Sequence, residues 1–485
     1  MQLSPGGTMN VRSSLSLLLL MTLPLVCCSA ATGAPSQSTL ADQAAIELTV
    51  YNSNIALVKD TRQVTLPAGE GELRFMDVAS SINPVTVSAR SLNFPNDFSI
   101  LDQNYEYDLI SESRLLDKYV GKKLKILRWD ETLTKREEVE ATLLSNNDGQ
   151  IYQIGSEIYL GYPGTKVVPT IPENLISKPT LTWLFTNKST KAHQLEVSYL
   201  TGNISWKADY VATLSGDDKS LGLSGWVTID NQSGAMYKDA RLKLVAGDVN
   251  RVQDNFREKS MMPTESMAMN GAAAQQFEEK AFFEYHIYDL QRRTTIKDRQ
   301  TKQISLLEAS GVDAKKEFLV SGDANYYFYA MPGQKQKQDV NVFIEFRNSQ
   351  ANHVGMPLPQ GTVRMYKKDT DGSLQFIGED NIRHTPKDEV VRLKIGKAFD
   401  VVAERVQMDY KHISSNMHES EWEVTIRNHK TSAIDVAILE PLYSDWKVLT
   451  STHEYKKVDA NTLRFDVPVG KDQEVVVRYR VQVKS

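Results

Sequence analysis

The chain has 485 residues, 41% of them hydrophobic and 24% charged, with a net charge of −5. That length predicts about three domains, and the composition is that of a globular protein able to bury a sizeable core. Lys and Arg are interspersed with Asp and Glu without forming a basic stripe, which excludes nucleic acid as an expected partner.

Residues 1–30 read as a secretory signal peptide. Arg12 precedes an apolar run from Leu15 to Val26, and small residues follow. Ala30 and Ala34 are the candidate cleavage points, and cutting at either leaves a mature chain without Cys27 and Cys28. Such a protein is exported to a periplasmic or extracellular space, and its fold rests on its core rather than on disulfides. The alternative is a lipoprotein anchored to a bacterial membrane through Cys27 or Cys28. A lipidated cysteine usually follows Gly, Ala or Ser, whereas Val26 and Cys27 stand there. After Ala34 no apolar run reaches the ~20 residues a spanning helix needs, so membrane contact is expected only through that lipid.

Residues 31–45 are small and polar and read as a linker. An N-terminal β-domain is expected over 46–106, with strands at Glu47–Tyr51, Ala56–Asp60, Glu72–Phe75 and Val85–Ala89. A small barrel-like domain follows over 107–170. It opens on the best helix candidate of this half, Tyr107–Tyr119, and continues through strands near Lys123–Leu127, Val139–Leu144 and Ile151–Ile154. Pro163, Pro169, Pro172 and Pro179 then punctuate the chain.

A first β-sandwich portion is assigned to 171–250 and a second to 285–485. Four strands in these portions end in asparagine, at Asn187, Asn231, Asn348 and Asn428. Asparagine can bond the backbone two residues on and tolerates left-handed φ. A second recurrent turn sets proline two residues before glycine, at Pro67/Gly69, Pro359/Gly361 and Pro468/Gly470. Residues 251–284, with Met261, Met262, Met267 and Met269, show no amphipathic period and read as a flexible linker. The fold class is therefore all-β: an N-terminal β-domain, a small SH3-like barrel, and immunoglobulin-like β-sandwich modules joined by that linker.

Motifs for chemistry are scarce. Gly222-Leu223-Ser224-Gly225 lacks the spacing of a serine-hydrolase elbow. His412 and His418, six apart, fall on one face of a continuous strand, and a zinc site would have to recruit Glu419 or His429 through folding. They read as solvent-facing or turn histidines. Asp369-Thr370-Asp371-Gly372 fails the calcium-loop frame, because Lys367 and Gly378 occupy ligand positions, and it reads as a hairpin turn. Trp183, Trp206, Trp226, Trp422 and Trp446 lie in or beside strands and read as core more than as a sugar-stacking surface. No catalytic, cofactor or metal residue is assigned, and no cofactor is expected.

From Leu181 to Val483 the chain resembles the domain of unknown function 4139 family of bacterial envelope proteins, which includes mucoidy-inhibitor-like members. The likeness rests on ordered strings: Trp206-Lys207-Ala208-Asp209-Tyr210, Asn231-Gln232-Ser233-Gly234, Asp239-Ala240-Arg241-Leu242, Glu284-Tyr285-His286-Ile287-Tyr288, Lys302 to Leu307, Leu358-Pro359-Gln360-Gly361 and Trp446-Lys447-Val448. Leu48 to Ile82 looks like the amino-terminal domain often joined to that family. Mucoidy-inhibitor-like proteins commonly place a heptad-rich helix between the two parts. Here the small barrel-like stretch stands there instead, so coiled-coil assembly does not transfer. The resemblance carries no catalytic residues. The expectation is an exported envelope protein that binds or scaffolds an envelope protein or polysaccharide. The alternative is a hydrolase of envelope polysaccharide acting through acidic residues. An outer-membrane barrel is disfavoured, because the strands are short, proline-broken and charged.

Overall fold

The computed structural model describes residues 35–129, 136–172, 175–247, 249–250, 276–442 and 445–484. Ala30, Ala34, Cys27, Cys28 and the four linker methionines lie outside the described residues. The fold is all-β, and short helical turns are the only other regular elements among the described residues. Burial alternates along the strands, as in His193–Gly202 and Gln43–Tyr51, because successive side chains leave a strand on opposite faces. No helix among the described residues is long and apolar enough to cross a membrane.

Three cores organise the chain. The largest joins residues from Ile46 to Leu393, the second joins Phe318 to Val483, and a small one gathers Leu116, Tyr119, Leu124, Ile126, Ala141, Leu143 and Tyr152. The largest core is enclosed by several sheets. One runs in the order Phe277–Phe282, Tyr285–Leu290, Tyr237–Ala246, Gln43–Tyr51, Ile55–Val64, His193–Gly202, Ser88–Ser91. Another sets Thr180–Asn187 between Gly69–Met76 and Phe98–Glu106. Strands from the stretch 171–250 thus complete sheets begun by 46–106, and the two stretches form a single unit.

The strand Gln300–Ser321, 22 residues long, splices the two large cores. Its first part pairs with Ser220–Asn231 and sends Ile304, Leu306 and Val312 into the first core. Its last part pairs with Val340–Arg347 and Ile434–Pro441 and sends Phe318 and Val320 into the second. Gly311, at φ +67, stands at the changeover, a conformation that glycine adopts without a Cβ penalty. The second core is closed by a sheet in the order Lys335–Gln338, Val401–Ser414, Met417–Asn428, Gln473–Lys484, Asp445–Ser451.

The small unit is inserted between Phe98–Glu106 and Thr180–Asn187. Its strand order is Glu157–Leu160, Ile151–Ile154, Arg136–Ser145, Lys123–Trp129, Thr165–Val167, so the fifth strand returns beside the first. The end strands Glu157–Leu160 and Thr165–Val167 do not pair with each other, and the curl stays open. Its helix covers Glu112–Asp117, capped by Ser111, rather than all of 107–119. Leu109 instead bridges to Ile176, which ties the neck of the insert.

Two stretches read as linker carry strands. Ser36–Ser38 pairs in parallel with Leu73–Phe75, burying Ser38 completely. Phe277–Phe282 pairs with Tyr285–Leu290, so the connector ends before residue 277. Both strands are polar or charged at many positions. Their pairing is supplied by backbone hydrogen bonds to neighbours distant in sequence, which side-chain periodicity does not reveal.

Candidate functional site

The residues singled out for chemistry do not converge. His412 and His418 do meet, but as cross-strand partners of a hairpin rather than on one strand. Glu419 turns to the opposite face, where it accepts from Gln482 at 3.0 Å, and His429 lies at the far end of Met417–Asn428. Among the described residues no group of three His, Cys, Asp or Glu is placed to hold a metal. Asp369 and Asp371 accept from turn N–H groups, including Ser373 to Asp371 at 2.7 Å. Gly222 to Gly225 lie within the strand Ser220–Asn231. Trp183, Trp206 and Trp422 are buried, and Trp226 and Trp446 are partly so.

Carboxylates crowd the outer face of the C-terminal sheet, each held by a cation. Arg480 reaches Asp409 at 2.8 Å and Glu421 at 2.6 Å, Arg478 reaches Glu423 at 2.6 Å, and Arg427 reaches Glu404 at 2.8 Å. The Arg480 hydrogen bond holds Asp409 below the usual carboxylate range, and Arg427 does the same to Glu404. A general acid needs the opposite shift. A concavity of about 260 Å³ beside Phe277–Phe282 is lined by Arg241, Glu278, Lys280, Asp289, Arg292 and Arg293. Its two carboxylates are paired, Asp289 with Arg241 at 3.0 Å and Glu278 with Lys280 at 3.1 Å, while Arg292 donates to Gln276 and Arg293 to the Asp239 carbonyl.

The surface that departs from this pattern of paired charge lies on the inserted unit. Leu124, Ile126, Leu143 and Tyr152 fill its core, so the alternating neighbours point outward. On strands Lys123–Trp129 and Arg136–Ser145 the outward positions form a charged ladder: Lys123 to Glu140 at 2.6 Å and Lys125 to Glu138 at 2.5 Å. Across the next two strands the outer face becomes aliphatic. Leu160 stands opposite Ile151, and Ile158 opposite Gln153. Leu144 joins them at the irregularity between Leu143 and Ser145. Ile158 is 66% exposed and Leu160 85%. The outer edge of Glu157–Leu160 pairs with no strand among the described residues. An exposed aliphatic patch beside a free strand edge and a charged rim has the make-up of a protein-docking surface.

The strand Glu157–Leu160 was not among those expected. Its signal is short but present: Gly155-Ser156 is a two-residue hairpin loop, with Gly155 at φ +61, between two apolar-alternating runs.

The profile of the family described as Domain of unknown function (DUF4139) matches residues 195–485. The matched span opens within His193–Gly202 and takes in the long spliced strand and the whole second core, while the inserted unit lies outside it. No curated protein matches the chain. With well over half of its length matched, the chain belongs to the DUF4139 family.

Proposed function

We propose that this protein is exported to the cell envelope and binds another envelope protein there, with the inserted unit as its docking module. The leader-like residues 1–34 support export. The aliphatic row Leu144, Ile151, Ile158 and Leu160 beside a free strand edge carries the binding reading. Aliphatic side chains favour a protein over a polysaccharide partner, because sugar rings are gripped by aromatic faces and by polar groups. An incoming extended segment pairs with the backbone of Glu157–Leu160 and covers Ile158 and Leu160 with its own apolar side chains. Fully burying an aliphatic side chain contributes about 1.5–3 kcal/mol, so the two anchors supply about 3–6 kcal/mol towards an association cost of about 4–15 kcal/mol, and the strand-edge hydrogen bonds and the flanking Leu144 and Ile151 add to them in a transient complex.

The test is site-specific photo-crosslinking in cells, with the reactive side chain placed at Ile158, at Leu160 or at Lys125 on the charged half of the same sheet. One discrete protein adduct is expected at Ile158 and at Leu160, and none at Lys125. Adding Leu160→Lys to the Ile158 probe should remove it. Equal adducts at all three positions, or adducts at Lys125 alone, would overturn the reading.

A further inference from the structure

The hairpin end of the C-terminal sheet carries a constellation that the docking reading does not use. Inward-facing side chains along Met417–Asn428 run Trp422, Ser420, His418, leaving the core at its rim. Opposite them, Tyr410 pairs with Ser420 and His412 with His418. The two imidazole rings are 5.0 Å apart, centre to centre, and inclined at 59°. Tyr410 stacks on His418 at 5.7 Å, and Phe328 meets it edge-on at 6.4 Å.

The hydrogen bonds fix which nitrogen of His418 is free to coordinate. The Tyr410 hydroxyl lies 3.0 Å from the Phe328 carbonyl and 2.8 Å from His418 Nδ1. A carbonyl oxygen only accepts, so the single phenolic proton goes to Phe328. The phenolic oxygen therefore accepts from Nδ1–H of His418, and the lone pair of the neutral ring resides on Nε2. Histidine ligands of metals are commonly prepared in this way, with the far ring N–H held by an acceptor that sets tautomer and ring orientation.

We propose that His412 and His418 form a binding site for a divalent late first-row transition ion, copper(II) above all, with Tyr410 as the positioning residue. An ion about 2.0–2.1 Å from one nitrogen of each ring holds the ring centres about 4.5–5.2 Å apart for ligand angles from square to tetrahedral. The observed separation of 5.0 Å falls within that span. Two imidazoles without a thiolate or carboxylate favour copper(II), nickel(II) and zinc(II), with copper(II) bound most tightly, over magnesium and calcium. The remaining positions on the ion are left to water or to a small donor from solution. His412 is exposed, so an ion reaches the site without any opening of the core.

Copper(II) chloride titrated into the purified, tag-free full chain and followed by electron paramagnetic resonance tests this directly. One ion should bind with a hyperfine pattern of two nitrogens. His412→Asn and His418→Asn should each weaken binding about tenfold or more, while His453→Asn leaves it unchanged. Tyr410→Phe should also weaken binding and should shift the His418 tautomer seen by nitrogen NMR, a change that packing alone would not produce. Thermal unfolding of His412→Asn should match the parent, since the side chain is exposed. The proposal is overturned if the His412 and His418 variants bind copper(II) as the parent does, or if the bound spectrum lacks histidine nitrogen.

Discussion

The four strand-ending asparagines act as clips, and each is buried. Asn428 donates to Ser432, Val469 and Gly470 carbonyls at 2.9, 3.2 and 3.0 Å and accepts from the Lys430 N–H at 3.0 Å. Asn187 does likewise with Leu66, Pro67 and Ser189. The two sequence motifs therefore meet in space: at Asn187 and Asn428, the asparagine ending one strand ties down the proline–glycine turn of another. Asn428→Ala removes the donor from the buried bond to Val469 and from the part-buried bonds to Ser432 and Gly470, and denaturant unfolding should show a loss of about 3 kcal/mol or more at about 1–3 kcal/mol per unsatisfied group. The asparagine repeat and its bond two residues on were legible in sequence. Its turn partner was not, because a clip's far end lies wherever the fold brings a free carbonyl.

Nor was the buried ion pair Arg405–Glu440 legible. Neither side chain is exposed, and the pair bridges the two sheets of the second core at 2.5 Å. Tyr327 donates to Glu440 at 2.7 Å, and Arg405 donates to the Tyr479 hydroxyl at 3.0 Å. Glu440→Leu should cost about 3–5 kcal/mol by leaving a buried guanidinium uncompensated, and pairing it with Arg405→Met should recover much of that loss. A double-mutant cycle in denaturant measures both, and an additive double variant would contradict the account. On the surface, the lowered folded-state values of Asp409 and Glu404 predict an acid limb. Their contribution is present above the ordinary values of 3.8 and 4.5 and is lost as pH falls through the lowered ones. Both groups are only partly buried and remain open to solvent screening, so the effect is small, and Arg480→Gln should flatten the fall of melting temperature between about pH 6 and 2.

At the scale of elements, the insert and the spliced strand divide the labour. Thr180 lies directly opposite Glu106 in an antiparallel pair, so the insert leaves and re-enters the main unit through neighbouring residues. Removing residues 107–179 and joining the two ends by a two-residue Asn-Gly turn should leave the rest of the chain folded, with unchanged circular dichroism and melting temperature. Collapse of the remainder would contradict the separateness of the small core. Breaking Gln300–Ser321 should do the reverse. Leu319→Pro removes a ladder hydrogen bond where the strand is flanked on both sides by Val340–Arg347 and Ile434–Pro441, and amide exchange should quicken in both large cores together. Strand and turn alternation made the β character readable. The union of 46–106 with 171–250 was not readable, because strands such as Gln43–Tyr51 and Tyr237–Ala246 pair in parallel across about 190 residues of chain.

The whole molecule places a small, separately cored unit with a bare aliphatic face on a larger framework of two cores. Copper binding at His412 and His418 and docking at Ile158 and Leu160 sit in different cores and are independent of each other. The most direct measurement of the central claim is rescue of a gene-deleted strain by the protein lacking residues 107–179, with its accumulation and folding verified in the same cells. The account predicts a stable, exported protein that fails to rescue, with the single substitution Leu160→Lys also failing and Lys125→Gln rescuing fully. Full rescue by the shortened protein would contradict it and move the function to the DUF4139 framework.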